Sequence, residues 1–331
     1  MQKEEPFVSI VVPVKNNEST VKSCVSSLLN LSYNNYEIII IDDGSTDRTR
    51  DILEEYQSNE KIKIIAIPGS GPSVARNLGM QHTSERSEYV AFTDGDCIVD
   101  KNWLTELLRP FIYDIDGIGD REHIAGVGGR QESPPDETSF GRYVMEFMKH
   151  IGFITDYMKV ESKIYAVEHN PTCNVLFRKR AIFEVGGFKA GLWPGEDVEL
   201  DYRLRKRGYK LYFNPSAVVY HYRPNKLHKF VKMMFSYGRV QAILVRMYGV
   251  FRKIHIVPFI FIPLVILHFA LLLRSTTFFI ILVNCELLPI LCYFIAQSKK
   301  MRSSIIFLFM FIITLFSWNI GFMRGLFSAK K

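Results

Sequence analysis

Asp94-Gly95-Asp96 follows directly on an apolar run, Tyr89 to Phe92. Two carboxylates separated by a glycine at an exposed strand end can hold a divalent cation, and such a hard, oxygen-ligated ion can bridge two phosphates. Asp and Gly are also common turn residues, so the triplet alone is equally a turn. A second acidic strand end, Asp42-Asp43-Gly44-Ser45-Thr46-Asp47, reads in two compatible ways. Ser45 or Thr46 would serve as a helix N-cap, and a carboxylate beside that turn could accept hydrogen bonds from a base or ribose.

A third acidic cluster, Gly195-Glu196-Asp197-Val198-Glu199-Leu200, opens a helical stretch. Acidic residues are ordinarily favourable at a helix N-terminus. They could also supply a general base, because a hydroxyl is a poor nucleophile until a carboxylate takes its proton. His221 closes the run Ala217-Val218-Val219-Tyr220, where a histidine is either a surface or structural residue or a ligand. His169 to Asn174 is a polar stretch before a strand, and an ordinary loop accounts for it as well. No His/Cys set has zinc spacing, and no G-x-x-x-x-G-K-[ST] phosphate loop is present.

The elements that must position these groups alternate. Val8 to Val14, Ile38 to Ile41, Ile62 to Ile67 and Tyr89 to Phe92 are apolar runs rich in β-branched residues. Between them Glu18 to Leu31, Thr46 to Tyr56 and Pro72 to Met80 carry helical patterns. The alternation predicts βαβ units and a parallel sheet covered on both faces, with the polar clusters at its carboxyl edge, where such sheets bind ligands. Beyond Trp103 the pattern blurs. Ser133 to Asp136 reads as a loop, Phe140 to Lys159 as a helix, Asn174 to Phe177 as a strand and Glu196 to Arg207 as a helix. No internal repeat or low-complexity tract is evident.

In order along the chain, Ser9 to Asn16, Asp42 to Asp47, Ala75-Arg76-Asn77-Leu78-Gly79, Thr93 to Asp96, and Gly195-Glu196-Asp197 through Arg203 resemble glycosyltransferase family 2. Each piece is modestly specific, and the ordered set covers roughly the first two thirds of the chain. The resemblance implies an α/β fold of the GT-A nucleotide-sugar-binding, Rossmann-like type. It implies donor contacts from Pro13, from Asp42 or Asp43 to the base, from Arg76 to the nucleotide and from Asp94 to the ribose or metal. It further implies Asp96 as a ligand of Mn²⁺ or Mg²⁺, His221 as a metal- or phosphate-contacting residue, Asp197 as the base with Glu196 beside it, and His169 to Asn174 as an acceptor-side loop.

The chain of 331 residues is 48 % hydrophobic, with 25 Phe, and its halves differ. Up to Tyr222 charged and apolar residues mix as in a soluble domain. Ile254 to Leu273 and Ser304 to Met323 carry no charged residue, and Thr276 to Gln297 carries only Glu286. Each stretch is about 20 residues long, enough to cross the hydrocarbon core. Three buried core helices in succession would lack enough protein to cover them. Lys226 to Val250 mixes Lys and Arg with apolar residues, as an interfacial helix does, and a plain linker helix would look similar. The net charge of +7 gathers near these segments (Lys229, Lys232, Arg239, Arg246), which points to an anionic membrane surface and away from nucleic acid. Expected divisions are 1–225, a catalytic domain; 226–253, an amphipathic interfacial linker helix; and 254–331, a membrane region with spans at 254–273, 276–297 and 304–323. Arg252 and Lys253 precede the first span, Arg274 stands alone after it, and Lys299, Lys300 and Arg302 follow the second. The positive-inside rule then places the catalytic domain and the second loop in the cytoplasm, although Arg324, Lys330 and Lys331 in the tail oppose the implied orientation of the third span. The five Cys show no C-x-x-C pair and read as reduced thiols. Met1 to Pro6 is polar, and no secretory leader is expected there.

The expectation is therefore an integral membrane, inverting, metal-dependent sugar transferase. Its donor would be UDP- or GDP-linked and its acceptor a hydroxyl on a lipid-linked molecule. A polyprenyl-phosphate sugar synthase would need no base, which the Glu196-Asp197 pair argues against. A processive polysaccharide synthase usually carries Gln-x-x-Arg-Trp, yet none of Trp103, Trp193 and Trp318 follows an Arg. A membrane scaffold with an inactive transferase domain would not be expected to keep Asp94, Asp96 and Asp197.

Overall fold

A computed structural model describes residues 5–115, 118, 120–151 and 163–328. The chain divides into two compact units. One comprises the described residues of 1–137 and 154–222, the other those of 138–153 and 223–331.

The first unit is built on a nine-stranded sheet. Its first half follows the predicted alternation: β1 (Val8–Val14), α1 (Val21–Leu29), β2 (Tyr36–Asp42), α2 (Thr49–Glu54), β3 (Ile62–Ala66), α3 (Pro72–Gln81) and β4 (Tyr89–Phe92). β1 pairs in parallel with β2 and β4, and β2 with β3. All seven residues of β1 are buried, as expected of a strand covered on both faces. α3 starts with Pro72 after Gly71. Proline suits the first helical turn, where its missing N–H would have no partner.

The second half departs from an all-parallel sheet. It comprises β5 (Cys97–Val99), α4 (Trp103–Ile112), β6 (Ile124–Glu132), β7 (Tyr165–Val167), β8 (Val175–Arg178), α6 (Lys179–Glu184), α7 (Glu196–Lys206) and β9 (Lys210–His221). α5, which falls between β6 and β7 in sequence, belongs to the other unit. The sheet order is β3-β2-β1-β4-β8-β6-β9-β5, with β7 also on β9. β8 runs antiparallel to β4 and β6, and β5 antiparallel to β9. The sheet is mixed because β8 reaches β4 from the opposite direction and ends the parallel series. The buried core joins β1, β2 and β4 to α1 and α4, with Trp103 fully enclosed. The Trp103 indole donates to Asn174 Oδ1 at 2.8 Å, and Asn174 Nδ2 donates to the carbonyls of Arg130 and Ala217.

The second unit is helical. α5 (Ser139–His150) is capped by Thr138, whose hydroxyl accepts from Gly141 N; the rest of the predicted helix, from 152 to 159, lies outside the described residues. α8 (Leu227–Tyr248) is followed by a 3-10 turn (Lys253–Ile256), α9 (Val257–Arg274), α10 (Thr276–Ser298) and α11 (Met301–Leu326). Phe147 of α5 sits among Phe230, Phe294 and Phe307. Three segments, Lys253–Arg274, Thr276–Ser298 and Met301–Leu326, are long and apolar enough to cross a membrane, which marks the chain for membrane association. α9 and α10 turn most of their surface outward, with Phe259, Ile266, Leu273 and Phe278 exposed. α11 instead buries nearly half of its apolar stretch. It packs along α8 through glycines: a Cβ on Gly238 would lie 1.8 Å from Trp318 O, and one on Gly321 2.0 Å from Phe235 O.

Candidate active site

The parallel strands end on one edge, and that edge carries the acids. Asp42 ends β2 and Asp43 follows it, and both are buried. Asp42 Oδ1 accepts from Ser45 N at 3.0 Å, which closes the Asp42 to Ser45 turn. Asp43 accepts from Ser70 N at 2.6 Å and Gly71 N at 2.9 Å, with Lys15 Nζ 3.5 Å away. Asp43 thus ties the end of β2 to the loop before α3. Pro13 is buried in β1, in register with Ile41.

Asp94 follows β4. Arg76, on the buried side of α3, donates to Asp94 Oδ1 at 2.7 Å and to Glu196 Oε1 at 2.6 Å. Gly195 N donates to Glu196 Oε2 at 2.9 Å. Asp94 and Glu196, from distant segments of the chain, are therefore locked by one guanidinium, itself 2 % exposed and set over the Phe188 ring. Burial works against the Arg76 charge, and Asp94 and Glu196 more than offset it. Burial likewise raises the Glu196 carboxyl, with Arg76 pulling the other way. Arg76, expected on the nucleotide, is turned inward onto two acids of the site.

Gly95 lets the Asp94–Asp96 turn approach β1: a Cβ there would meet Val14 Cγ1 at 2.8 Å and Asn17 Oδ1 at 2.9 Å. Asp96 Oδ1 lies 3.6 Å from His221 Nε2, and the Asp96 side chain is 39 % exposed. Asp94 keeps 27 % exposure beside Arg76. Solvent-reachable carboxylate oxygens with one imidazole fit a hard divalent cation such as Mn²⁺ or Mg²⁺. Behind them lie Cys97 and Cys173, both buried and unpaired to any disulfide. Burial raises the Cys97 thiol, and its hydrogen bond to Cys173 pulls the Cys173 thiol down.

α7 begins at Glu196, so Asp197 sits in its first turn. Asp197 Oδ1 accepts from Val198 N at 2.7 Å, and its Oδ2 lies 3.8 Å from His169 Nε2. The opposite ring nitrogen, His169 Nδ1, is 2.9 Å from Asp201 Oδ2, which also accepts from Asn170 N at 2.8 Å. Burial raises the Asp201 carboxyl and the His169 hydrogen bond lowers it, burial being the stronger. The result is a row of Asp197, His169 and Asp201, in which an imidazole is held between an accessible and an enclosed carboxylate. Asp201 had escaped the sequence reasoning, although its i+4 spacing from Asp197 places both on one helix face.

Of the expected site residues, Arg76, Asp94 and Glu196 form one hydrogen-bonded group, Asp96 and His221 lie within ion-pair distance of each other, and Asp197 heads a row with His169 and Asp201. Asp197 is near enough to add to the negative field at both Arg76 and Glu196. Pro13, Asp42 and Asp43 stand apart from these groups in their contacts, serving the strand ends and loops.

The family model described as Glycosyl transferase family 2 matches residues 9–185, and that described as Glycosyl transferase family group 2 matches residues 134–321. The chain is 28 % identical over 239 residues to a pre-mycofactocin glycosyltransferase of Mycobacterium tuberculosis, covering 70 % of this chain but only 46 % of that protein. It is 28 % identical over 263 residues to a Methanococcus voltae dolichyl N-acetyl-alpha-D-glucosaminyl phosphate 3-beta-D-2,3-diacetamido-2,3-dideoxy-beta-D-glucuronosyltransferase, covering 76 % of this chain and 78 % of that one. Among solved structures, a mannosyltransferase from Pyrobaculum calidifontis in complex with GDP-Man and Mn²⁺ superposes with a TM-score of 0.61 at 13 % identity. It covers 99 % of this chain and 89 % of its own. At that identity the likeness establishes the fold, which is the GT-A one.

Proposed function

Since the chain belongs to glycosyl transferase family 2, we propose that it transfers a sugar, with inversion, from a UDP- or GDP-linked donor to a hydroxyl of a lipid-linked acceptor. The observation that carries this reading is the Arg76 bridge, which holds Asp94 and Glu196 in fixed relation beside Asp197. Pre-set acidic groups at a strand edge need no reorganisation when substrate arrives. The name of the Methanococcus voltae relative includes a dolichyl phosphate, and the three apolar helices would keep a lipid-borne acceptor within reach.

Asp94, Asp96 and His221 would hold a divalent cation, which would supply positive charge to screen a leaving diphosphate. Asp43, with its bound loop N–H groups and Lys15, frames the wall for the base and ribose. Arg76 acts on the donor through Asp94, whose rotamer it fixes. Asp197 takes the proton from the attacking hydroxyl. His169, hydrogen-bonded through Nδ1 to Asp201, is the positioning residue for Asp197, presenting Nε2 toward its second oxygen. Glu196 is held by Arg76 and Gly195 and orients the start of α7. The catalytic unit is placed on the cytoplasmic side, supported by the basic residues Arg252, Lys253, Lys299, Lys300 and Arg302.

A thermal-shift screen of nucleotide sugars with Mn²⁺ or Mg²⁺ tests the donor assignment. A ligand at 100 times its Kd stabilises by about 2.7 kcal/mol, so one nucleotide class should raise the melting temperature, and only with the cation present. Indifference to every nucleotide sugar would remove the donor site.

A further inference from the structure

Cys97 and His221 are register partners across the antiparallel β5–β9 pair, so their side chains leave the sheet on one face. Cys173, in the turn before β8, reaches the same point. The two Sγ atoms and a ring nitrogen of His221 all lie within 4.8 Å of one another. Asp96 Oδ1 is 3.7 Å from Cys97 Sγ and 3.6 Å from His221 Nε2. We propose that Cys97, Cys173 and His221, with Asp96 as fourth ligand, form a site for a thiophilic divalent cation of the Zn²⁺ class.

The geometry is close to what such an ion requires. With Zn–S of about 2.3 Å and Zn–N and Zn–O of about 2.0–2.1 Å, the edges of a tetrahedron are about 3.8 Å between two sulfurs, 3.6 Å between sulfur and oxygen, and 3.4 Å between nitrogen and oxygen. The two Asp96 separations already match these edges within a few tenths of an ångström. His221 Nδ1 lies 3.3 Å from the buried Gln131 Oε1. A metal-bound histidine commonly gives its second N–H to such an acceptor, which fixes the tautomer and leaves Nε2 to the ion. Two thiolates and an imidazole select zinc over magnesium or manganese. The oxygen pair of Asp94 and Asp96, on the exposed side, has the opposite preference.

The site does not depend on the transferase reading, but it bears on it. Asp96 and His221 serve both constellations, so a thiophilic ion would draw them away from the hard cation of the donor. Zinc would then compete with manganese at a shared ligand.

Cobalt spectroscopy tests the site without any activity measurement. The full chain, with the exposed Cys285 and Cys292 replaced by Ser, is purified in detergent, stripped of metal and titrated with Co²⁺. The expected result is a thiolate-to-cobalt charge-transfer band in the near ultraviolet with the visible bands of a four-coordinate centre, saturating at one equivalent and bleached by Zn²⁺. Cys97→Ser or Cys173→Ser should each weaken the charge-transfer band, and the double variant should abolish it. Weak bands of six-coordinate oxygen ligation, or thiolate bands that survive in the double variant, would overturn the site and leave the two thiols as packing. Should the variants fail to fold, zinc-edge X-ray absorption on the same Cys285→Ser/Cys292→Ser chain decides: two sulfur neighbours support the proposal, and fewer refute it.

Discussion

Replacing Arg76 with Met keeps the length and apolar stem of the side chain but removes the charge shared by Asp94 and Glu196. The two acids then fare differently. Asp94 is 27 % exposed and can be solvated by water. Glu196 is 3 % exposed and is left as a buried carboxylate held by backbone N–H groups of Gly195 and Glu196 and by no cation. Removing one partner of a buried pair costs about 3–5 kcal/mol. For a domain of this size, that is roughly 2–4 °C of melting temperature per kcal/mol. The loss should depend on pH, because Glu196 escapes by taking up a proton. Burial already raises its folded pKa, and without Arg76 it rises further. Between the usual carboxylate value of ~4.3 and that raised value, the folded state holds the extra proton. Stability must then fall as pH rises, by up to about 1.4 kcal/mol per pH unit, and level off above the folded value. Thermal melts of the detergent-solubilised chain from the usual carboxylate range up to about pH 8, which buried carboxyls can reach, should show this slope more steeply in Arg76→Met than in the parent. Adding Glu196→Gln should flatten it and recover much of the loss, since a neutral amide needs no cation. A variant as stable as the parent, or a double variant no better than the single one, would refute the bridge as the organiser of the site.

Further expectations follow from the other groups. Asp197→Asn keeps shape but cannot take a proton, so turnover should fall about 10²–10⁴-fold with donor affinity by calorimetry unchanged; near-normal transfer would remove Asp197 as the base. Asp96→Ala, or EDTA on the parent, should weaken donor binding itself, and donor binding undiminished in EDTA would dismiss the cation. A single cysteine at Ser298, in a chain without its native cysteines, should resist an impermeant thiol reagent in intact cells; labelling there would reverse the orientation. Gly321→Leu must push apart two backbones that nearly touch, at a cost of about 1–3 kcal/mol read as a lower melting temperature, whereas an unchanged melt would show that the α8–α11 contact carries no stability.

The half of the sheet that reads from sequence is the half made of uninterrupted β-branched runs. β1 and β2 are buried almost throughout, so hydrophobicity alone marks them. β6 escapes because it carries Gly126, Gly128 and Gly129, which weaken a strand pattern. Those glycines are needed for close approach: a Cβ at each would collide with Phe177, Asn170 or Ala217 respectively. β5 and β7 are three residues long, too short to show alternation. Strand direction leaves no mark on an apolar run, so the antiparallel placing of β8 was hidden. The site divides in the same way. Asp94, Asp96 and Asp197 stand in local motifs, while the Arg76 bridge and the meeting of Cys97, Cys173 and His221 join distant segments and exist only once the sheet has formed.

The glycine contact between α8 and α11 also sets an order for making the molecule. The last strand of the sheet ends at His221, so the sheet unit can close while the remaining helices are still being synthesised. α8 emerges next, with Gly238 and Ala242 on the face that α11 covers. Its partner surface, Trp318 to Gly325, arrives only after α9 and α10. Throughout that interval a basic helix with an open backbone face must be sheltered by lipid or by the insertion machinery. A chain that stops short of α11 would keep its acid site and lose the seat of its second unit.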